Sequence, residues 1–277
     1  MVRWEDDSVD VFGDRWDRPY LWFRGRPKLS CAANQVDAVV TLDIRKANRE
    51  LVAKLRAEGT AAGDPKLAAY VGSPYPVLGL PVPQMRSILR DFKRENRKLA
   101  AREMNALAGA LWSGPTYEEK SIAIALLDAY PKIRDNVSWK IADRWVDEAI
   151  GWGLSDALAG GPIAEMVYKT PSRFTHVMRW TGSTHFWRRR ASAYAMHDFV
   201  FAGDLDKPLQ LLEKLLYDDE FWVQRAVGTW LRESWKQDSK RTEAFLRKHA
   251  AGLPKVVITV ATERSSKAFR DELRRER

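Results

Sequence analysis

Apolar residues recur at helical spacing along most of this chain. In residues 34–58, for example, Val36, Val39, Val40 and Ile44 fall on one face of a predicted basic amphipathic helix. Spacings of three and four residues predict helices rather than strands. The same pattern predicts further helices at about 65–71, after Pro83, at 97–112, after Thr116, and at about 131–149, 153–169, 171–181, 184–201, 206–217, 219–235, 239–250 and 264–275.

Two local signals refine this prediction. Thr116 with Glu119 three residues later forms a capping-box signal at the start of a helix. The run Val256–Val260 is compatible with a strand or a buried helix, and we predict a helix because its neighbours are helical. Alternating strands and helices are absent, as is a phosphate-binding glycine loop, which argues against a nucleotide-binding α/β fold. The sequence predicts an all-α protein.

A tryptophan repeats at a fixed interval in the second half of the chain. Trp152, Trp187 and Trp222 are each 35 residues apart (187 − 152 = 35; 222 − 187 = 35), and the last two begin matching Trp-x-x-Arg-Ala phrases. Such a period indicates an array of helix pairs that bury their apolar faces against one another. We therefore expect residues 34–277 to form one helical-repeat domain. Residues 1–33 lack the periodicity but contain three tryptophans, which predicts a partly ordered N-terminal extension.

The charge balance favours a polyanionic partner. The chain has 46 Lys and Arg against 37 Asp and Glu, a net charge of +9. Neutralising phosphates releases counterions, so nucleic acid is the first candidate partner. Arg188, Arg189 and Arg190 follow Trp187 directly, and interleaved cations and aromatic rings suit a groove for a nucleic-acid backbone. A solvated basic surface is the plainer interpretation.

The sequence gives no sign of a disulfide, a metal site or a membrane segment. Cys31 is the only cysteine, which excludes an internal disulfide, and the 4 histidines show no metal-ligand spacing. No apolar run approaches the roughly 20 residues that cross a bilayer, and the acidic start does not resemble a signal peptide. We expect no metal, no cofactor and no membrane contact. A monomer in the cytoplasm, associated with the nucleoid, is the expected state.

One acidic residue interrupts the repeat. Asp156 stands where the later units have Ala191 and Ala226, and it lies four residues after Trp152, on the same helix face. Arg190 follows 34 residues later (190 − 156 = 34), almost one repeat, so neighbouring units should place it beside the carboxylate. We expect Asp156 to face outward into a basic, aromatic-walled trough that receives a cation. Core packing of the tryptophans and a structural salt bridge are the alternatives.

Several fragments, in this order and spacing, resemble the AlkD-like DNA alkylation repair glycosylases, which are built of HEAT-like helical repeats. The resemblance runs from about Ala69 to Glu233. It implies a helical-repeat solenoid with a concave, basic DNA-binding groove. The fragments are Tyr70 with Tyr75–Leu80, Tyr117–Ala123, Trp152-x-x-x-Asp156, Trp187–Ala191 and Gln224–Glu233.

The resemblance also implies roles for single residues. Asp156 would be the catalytic carboxylate, Trp152 and Tyr70 would be walls of the lesion-binding cleft, and Arg190 would clamp the DNA backbone. Such enzymes excise positively charged N3- and N7-alkylated purines from double-stranded DNA, as a step of base excision repair, without flipping the nucleotide and without a cofactor. The residues predicted to contact DNA are Tyr70, Trp187, Arg189, Arg190, Arg225, Trp230 and Arg232.

Two features keep alternatives open. Trp139 and Asp143 form a second pair with the same spacing, although the distances to Tyr70 and Arg190 favour Trp152 and Asp156. The family has a further cleft tryptophan at the position that Thr229 occupies in this chain. The nearest tryptophan, Trp230, is displaced by one residue, which is about 100° around a helix. A non-catalytic relative that binds damaged or branched DNA, or a repeat scaffold for protein partners, therefore remains an alternative to the glycosylase.

Overall fold

A computed structural model describes residues 41–60 and 63–277, and within these ranges the regular secondary structure is entirely helical. The predicted all-α class is confirmed. A π-helical segment, Ala159–Ile163, joins the helices Trp152–Leu158 and Ala164–Lys169. The helices in chain order are α1 (Ile44–Glu58), α2 (Pro65–Val71), α3 (Val82–Glu95), α4 (Ala101–Trp112), α5 (Tyr117–Ala129), α6 (Asn136–Glu148), α7 (Trp152–Leu158), α8 (Ala164–Lys169), α9 (Ser172–Trp180), α10 (Phe186–Tyr194), α11 (His197–Phe201), α12 (Asp206–Glu213), α13 (Phe221–Gln237), α14 (Ser239–Lys248), α15 (Lys255–Ala261) and α16 (Lys267–Glu276).

The structure divides two helices that the sequence predicts as continuous. The predicted helix 153–169 contains Pro162, which has no N–H to donate, and Gly161 leaves helical geometry with φ −94° and ψ −109°. The predicted helix 184–201 turns at residues 195–196, between α10 and α11. Val256–Val260 lies in α15, as predicted. The predicted extension 1–33, its boundary at residue 34 and Cys31 lie outside the described residues.

The repeated tryptophans lie at helix starts. Trp152 is the first residue of α7, and Trp187 and Trp222 are the second residues of α10 and α13. The three helices pack on one another in order, α7 against α10 and α10 against α13. The stack continues at both ends, with α5 against α7 and α15 against α13. The 35-residue period therefore corresponds to a stack of equivalent helices, each of which buries apolar side chains against the next.

A buried carboxylate fixes the loop between α2 and α3. Glu118 is fully buried in α5, and its side chain accepts hydrogen bonds from the backbone N–H groups of Leu78 (2.9 Å) and Gly79 (3.0 Å). Burial raises the pKa of Glu118, and these hydrogen bonds partly oppose that shift. Hydrogen bonds to a buried acceptor are costly to remove, so Glu118 holds the loop against α5.

Candidate functional site

Close backbone contact brings an aromatic pair together at the start of α7. Gly151 has φ +91°, and a Cβ atom there would lie 2.5 Å from the carbonyl oxygen of Gly72. Only glycine tolerates both conditions, so the end of α2 can rest against the start of α7. The indole N–H of Trp152 donates to the carbonyl oxygen of Tyr70 (2.5 Å). The two rings meet edge to face with centroids 5.0 Å apart, and Tyr70 is 36% exposed.

One helical turn further, Asp156 and Arg190 form a bidentate ion pair. Arg190 Nε and Nη2 donate to the two carboxylate oxygens of Asp156, each at 2.7 Å. The predicted adjacency of these residues is confirmed. The predicted outward orientation is wrong, because the side chains of Asp156 and Arg190 are only 1% and 5% exposed. Helix α10 packs on α7 at this point, and Arg190 covers the carboxylate.

Aromatic groups complete the surroundings of this pair. The Arg190 guanidinium lies 4.8 Å from the ring centre of Tyr194 and 5.7 Å from that of Trp222. Arg190 also donates to the Tyr194 hydroxyl (3.1 Å) and to the carbonyl oxygen of Trp222. The cation is thus held by a carboxylate, two neutral acceptors and two aromatic rings, an arrangement that fixes its plane.

Burial and charge act in opposite directions on the Asp156 carboxyl group. Burial raises the pKa of Asp156, while Arg190, the Tyr194 hydroxyl and, more weakly, Arg225 lower it, and the result is a raised pKa. Burial also raises the pKa of Tyr117, and the negative charge of Asp156 adds to that shift. Perturbed groups of this kind cluster at functional sites, although structural ion pairs show them too.

The arginine triplet does not form an unpaired basic face. Arg189 donates to both carboxylate oxygens of Asp218 (2.6 and 3.0 Å), and Arg188 forms ion pairs with Asp143 (2.9 Å) and Asp147 (2.6 Å). With Arg190 on Asp156, each of the three consecutive guanidinium groups has a carboxylate partner. Any contact of Arg189 or Arg190 with a phosphate must therefore compete with an acid of the protein.

The remaining residues predicted to contact DNA differ in how far their side chains are exposed to solvent. Arg225 is half-buried, with its guanidinium 5.9 Å from the ring centre of Phe221. Trp187 is buried, 5.9 Å from Trp222 between ring centroids. Arg232 is also buried and forms ion pairs with Glu233 and Glu263.

Trp230 belongs to the core. Its side chain is fully buried and meets the ring of Tyr194 edge to face at 5.5 Å and that of His197 at 5.6 Å. The prediction that Trp230 contacts DNA is therefore wrong. The physical reason is helical phase, since a shift of one position turns a side chain by about 100°, and the half-buried Thr229 lies beside it on the more open face.

The competing pair Trp139 and Asp143 is the more accessible one. The Asp143 side chain is 26% exposed and accepts from Arg188, with His176 Nε2 3.1 Å from its other oxygen. Trp139 lies parallel to Trp180, with ring centroids 6.3 Å apart. These contacts link α6 to α9 and α10. Asp143 combines a half-buried, partly accessible carboxylate with nearby aromatic rings, which is closer to what the sequence analysis expected at Asp156.

Two residues in this region were not assigned a role from the sequence. Lys120 is buried and donates to the carbonyl oxygen of Trp112 (2.7 Å), with its ammonium group 4.3 Å from the ring centre of Tyr75. The hydroxyl oxygen of Tyr117 would lie 2.5 Å from a Cβ atom at position 153, so α5 and α7 approach closely at Gly153. Charged residues in the otherwise apolar helix α5 were the available signal, because a buried charge requires specific partners.

Neither a metal cluster nor a membrane-crossing helix is found in the part of the chain that the structure describes. No group of three or more His, Cys, Asp and Glu side chains is placed there to hold a metal ion. None of the helices between residues 41 and 277, leaving aside residues 61–62, is long and apolar enough to cross a bilayer.

Comparison with known families identifies the chain. The model of the family described as DNA alkylation repair enzymes matches residues 51–264, which is 214 of the 277 residues (264 − 51 + 1 = 214). The chain belongs to the DNA alkylation repair enzyme family. No curated protein matches the sequence. The resemblance inferred from the sequence fragments is thereby confirmed at the level of the family.

Solved structures of low sequence identity share the fold. One, described as a predicted DNA alkylation repair enzyme from Enterococcus faecalis, has 16% identity and a TM-score of 0.64, with 74% of this chain and 97% of that chain covered. Another, AlkD2 from Streptococcus mutans, has 15% identity and a TM-score of 0.57, with 78% and 98% covered. At these identities the likeness shows the AlkD-like helical-repeat fold of this family member.

Proposed function

We propose that this family member is a DNA glycosylase that excises positively charged N3- and N7-alkylated purines from duplex DNA without flipping the nucleotide. The observation that carries the proposal is the Asp156 carboxylate, held by Arg190 one helical turn from the Tyr70–Trp152 aromatic pair. A carboxylate beside an indole suits a developing cation, and a guanidinium suits the adjacent phosphate.

The chemistry requires little from the protein beyond electrostatics. A cationic purine leaves with the electron pair of the glycosidic bond and becomes neutral, while positive charge develops on the deoxyribose. Asp156 would stabilise that charge and orient a water molecule, whose oxygen bonds to C1′ and whose proton passes to solvent. Trp152 lies one turn away, and an aromatic face contributes about 0.5–2 kcal/mol to cation binding. Neither step needs a metal or an organic cofactor.

Arg190 must release Asp156 for this reaction, since it covers the carboxylate in the structure. A phosphate group offers the same two-oxygen geometry to a guanidinium as a carboxylate does. DNA would therefore draw Arg190 onto its backbone and uncover Asp156 at the same time. In this proposal substrate binding activates the site, and the ion pair keeps the buried charge neutralised until then.

A base-release assay tests the proposal directly. The purified wild-type protein should free N7-methylguanine or N3-methyladenine from alkylated duplex DNA, and Asp156→Asn should lower the rate about 100- to 1000-fold, as for the loss of one preorganised electrostatic group. Asp143→Asn is the matched control and should keep most of the activity. No release by the wild type, beside a working glycosylase control, rejects the proposal. Loss of activity in Asp143→Asn alone would move the catalytic role to Asp143.

A second candidate function is supported by the burial of the same residue. With Asp156 1% exposed and Thr229 in place of a cleft tryptophan, a DNA-binding relative without catalysis is consistent with the site. Both candidates predict affinity for DNA, so binding alone does not separate them. The second predicts retained binding to alkylated or branched DNA with no base release.

A further inference from the structure

A second cluster of cations surrounds a cleft between the start of α6, the end of α8 and the start of α9. The cleft has a volume of about 340 Å³, and its charged and polar lining includes Arg134, Asn136, Lys169, Thr170 and Arg173. A phosphate group, even one carrying a sugar, fits within this volume. None of these residues has a role in the proposed glycosylase site.

Two carboxylates lie near the cluster, and both are already engaged. Glu165 pairs with Arg134 and Lys169. Asp135, which lines the cleft, caps α6 by accepting from the backbone N–H of Ser138 (2.9 Å) and also accepts from Asn105 (3.1 Å). Three cations therefore face two acids, an excess of one positive charge (3 − 2 = 1). Glu165 is occupied by Arg134 and Lys169 themselves, and Asp135 by Ser138 and Asn105.

Arg134 is a buried part of this site. Its side chain is only 3% exposed, and it donates to the carbonyl oxygen of Pro162 (3.2 Å) and to Glu165. Its Nε–H is buried and has no acceptor among the described residues. A buried guanidinium with an unused donor provides charge at a fixed position.

Among the described residues no carboxylate pairs with Arg173, whereas Arg134 and Lys169 both pair with Glu165. Its guanidinium donates to two neutral acceptors, the carbonyl oxygen of Met166 (3.2 Å) and Oδ1 of Asn136 (3.0 Å). Its guanidinium lies 4.9 Å from the ring centre of Trp139, which fixes its orientation. Burial lowers the pKa of Arg173, and repulsion from Arg134 lowers it further. An anion in the cleft would relieve that repulsion.

We propose that this cleft binds a phosphate group, with Arg173, Lys169 and the side-chain amide of Asn136 as donors and Arg134 as the buried charge behind them. The site is separate from the one at Asp156. The residues that line it belong to α6, α8, α9 and the turns beside them, whereas Asp156 and Arg190 lie on α7 and α10. The phosphate comes either from DNA backbone remote from the lesion or from a small phosphorylated compound.

Inorganic phosphate is the first probe. At constant ionic strength in chloride buffer, phosphate should raise the melting temperature of the full-length wild type and of Arg179→Gln, which loses an exposed arginine from the same helix. Arg173→Gln should lose this increase. Lys169→Gln provides a second variant if Arg173→Gln does not fold. Equal phosphate effects in wild type, Arg173→Gln and Lys169→Gln overturn the proposal.

Unmodified duplex DNA distinguishes the two sources of phosphate. If the ligand is DNA backbone, Arg173→Gln should reduce the slope of log affinity against log salt by about 0.9 more than Arg179→Gln does. If Arg173→Gln loses the melting-temperature response to inorganic phosphate but keeps the salt slope of DNA binding, the ligand is a small phosphorylated compound. If Arg173→Gln changes neither the phosphate response nor the salt slope, the cleft is not a phosphate site. Because neither measurement uses a lesion, a negative base-release assay leaves this test intact.

Discussion

Asp156 and Arg190 neutralise each other in the interior, so the loss of either partner leaves an uncompensated charge. Arg190→Ala should destabilise the protein by about 3–5 kcal/mol, as expected when a buried pair is broken from one side. Arg241→Ala is the control, because Arg241 and its partner Asp206 are both exposed, and the expected loss is about 0–1 kcal/mol. Urea unfolding measures both. Similar losses for the two variants would mean that the Asp156–Arg190 pair is effectively solvated.

The same pair shows which properties of single residues the sequence predicts and which it does not. Its 34-residue separation predicted that Asp156 and Arg190 are neighbours, because equivalent positions of successive repeats stack. Their burial was not predictable from the same pattern. Helical phase identifies side chains that share a face, but it does not reveal what packs on that face. Trp230 was misassigned to the DNA surface for the related reason that one helical position decides between core and groove.

Between elements, the contact of α2 with α7 depends on Gly151. Gly151→Ala should destabilise the protein by about 2 kcal/mol, since alanine at φ +91° is strained and its Cβ atom would press on the carbonyl oxygens of Val71 and Gly72. Gly109→Ala is the matched control, because a Cβ atom there meets nothing within 4 Å, and a gain of about 0.5–1 kcal/mol is expected in helix α4.

The Gly151 variant also tests whether the aromatic pair matters for function. Separation of α2 from α7 would remove Tyr70 from Trp152, so base release should fall in Gly151→Ala at a temperature where the variant is still folded. Unchanged stability would indicate that the contact adapts to a side chain. Unchanged base release in a destabilised variant would show that Tyr70 is not required beside Trp152.

Helix boundaries were predictable where a local side chain sets them. Thr116 and Glu119 form the predicted capping box, with Glu119 accepting from the Thr116 backbone N–H at 2.8 Å. Two interruptions inside predicted helices differ in their sequence signal. Pro162 indicates a helix start or break, and the structure accommodates it with a π-helical segment instead of a helix end. The turn at residues 195–196 contains Ala and Met, which carry no turn signal. Tertiary packing decides such positions, and a single sequence does not report it.

For the whole molecule, the number of basic residues overstates the cations available to DNA. The chain has 46 Lys and Arg, yet Arg188, Arg189 and Arg190 are each matched by an aspartate at hydrogen-bonding distance. Helical spacing and the repeat period predicted an all-α repeat protein, and the resemblance of several sequence fragments predicted the family. The pairing of Arg190 with Asp156 followed from the repeat spacing. The partners of Arg188 and Arg189 did not, because Asp143 and Asp218 lie 45 and 29 residues away, separations that do not match the repeat.

Releasing one of these arginines should strengthen DNA binding. Asp218→Asn removes the hydrogen-bonded carboxylate partner of Arg189 and leaves only the exposed Asp219 at 3.8 Å, so the guanidinium becomes more available to a phosphate. The slope of log affinity against log salt should then steepen by about 0.9, which corresponds to one added phosphate contact. Asp206→Asn adds the same charge at an exposed ion pair elsewhere and is the control. Fluorescence anisotropy with duplex DNA over a salt series measures both.

The pattern of results separates a local contact from a general charge effect. A larger gain in Asp218→Asn than in Asp206→Asn, reversed by adding Arg189→Gln, would place Arg189 at the DNA. Equal gains would mean that DNA responds only to the net charge of the protein. If neither the wild type nor any variant binds DNA at low salt, the basic surface serves another partner, and the scaffold alternative is favoured over both DNA-directed functions, because phosphate contacts are strongest when few counterions compete.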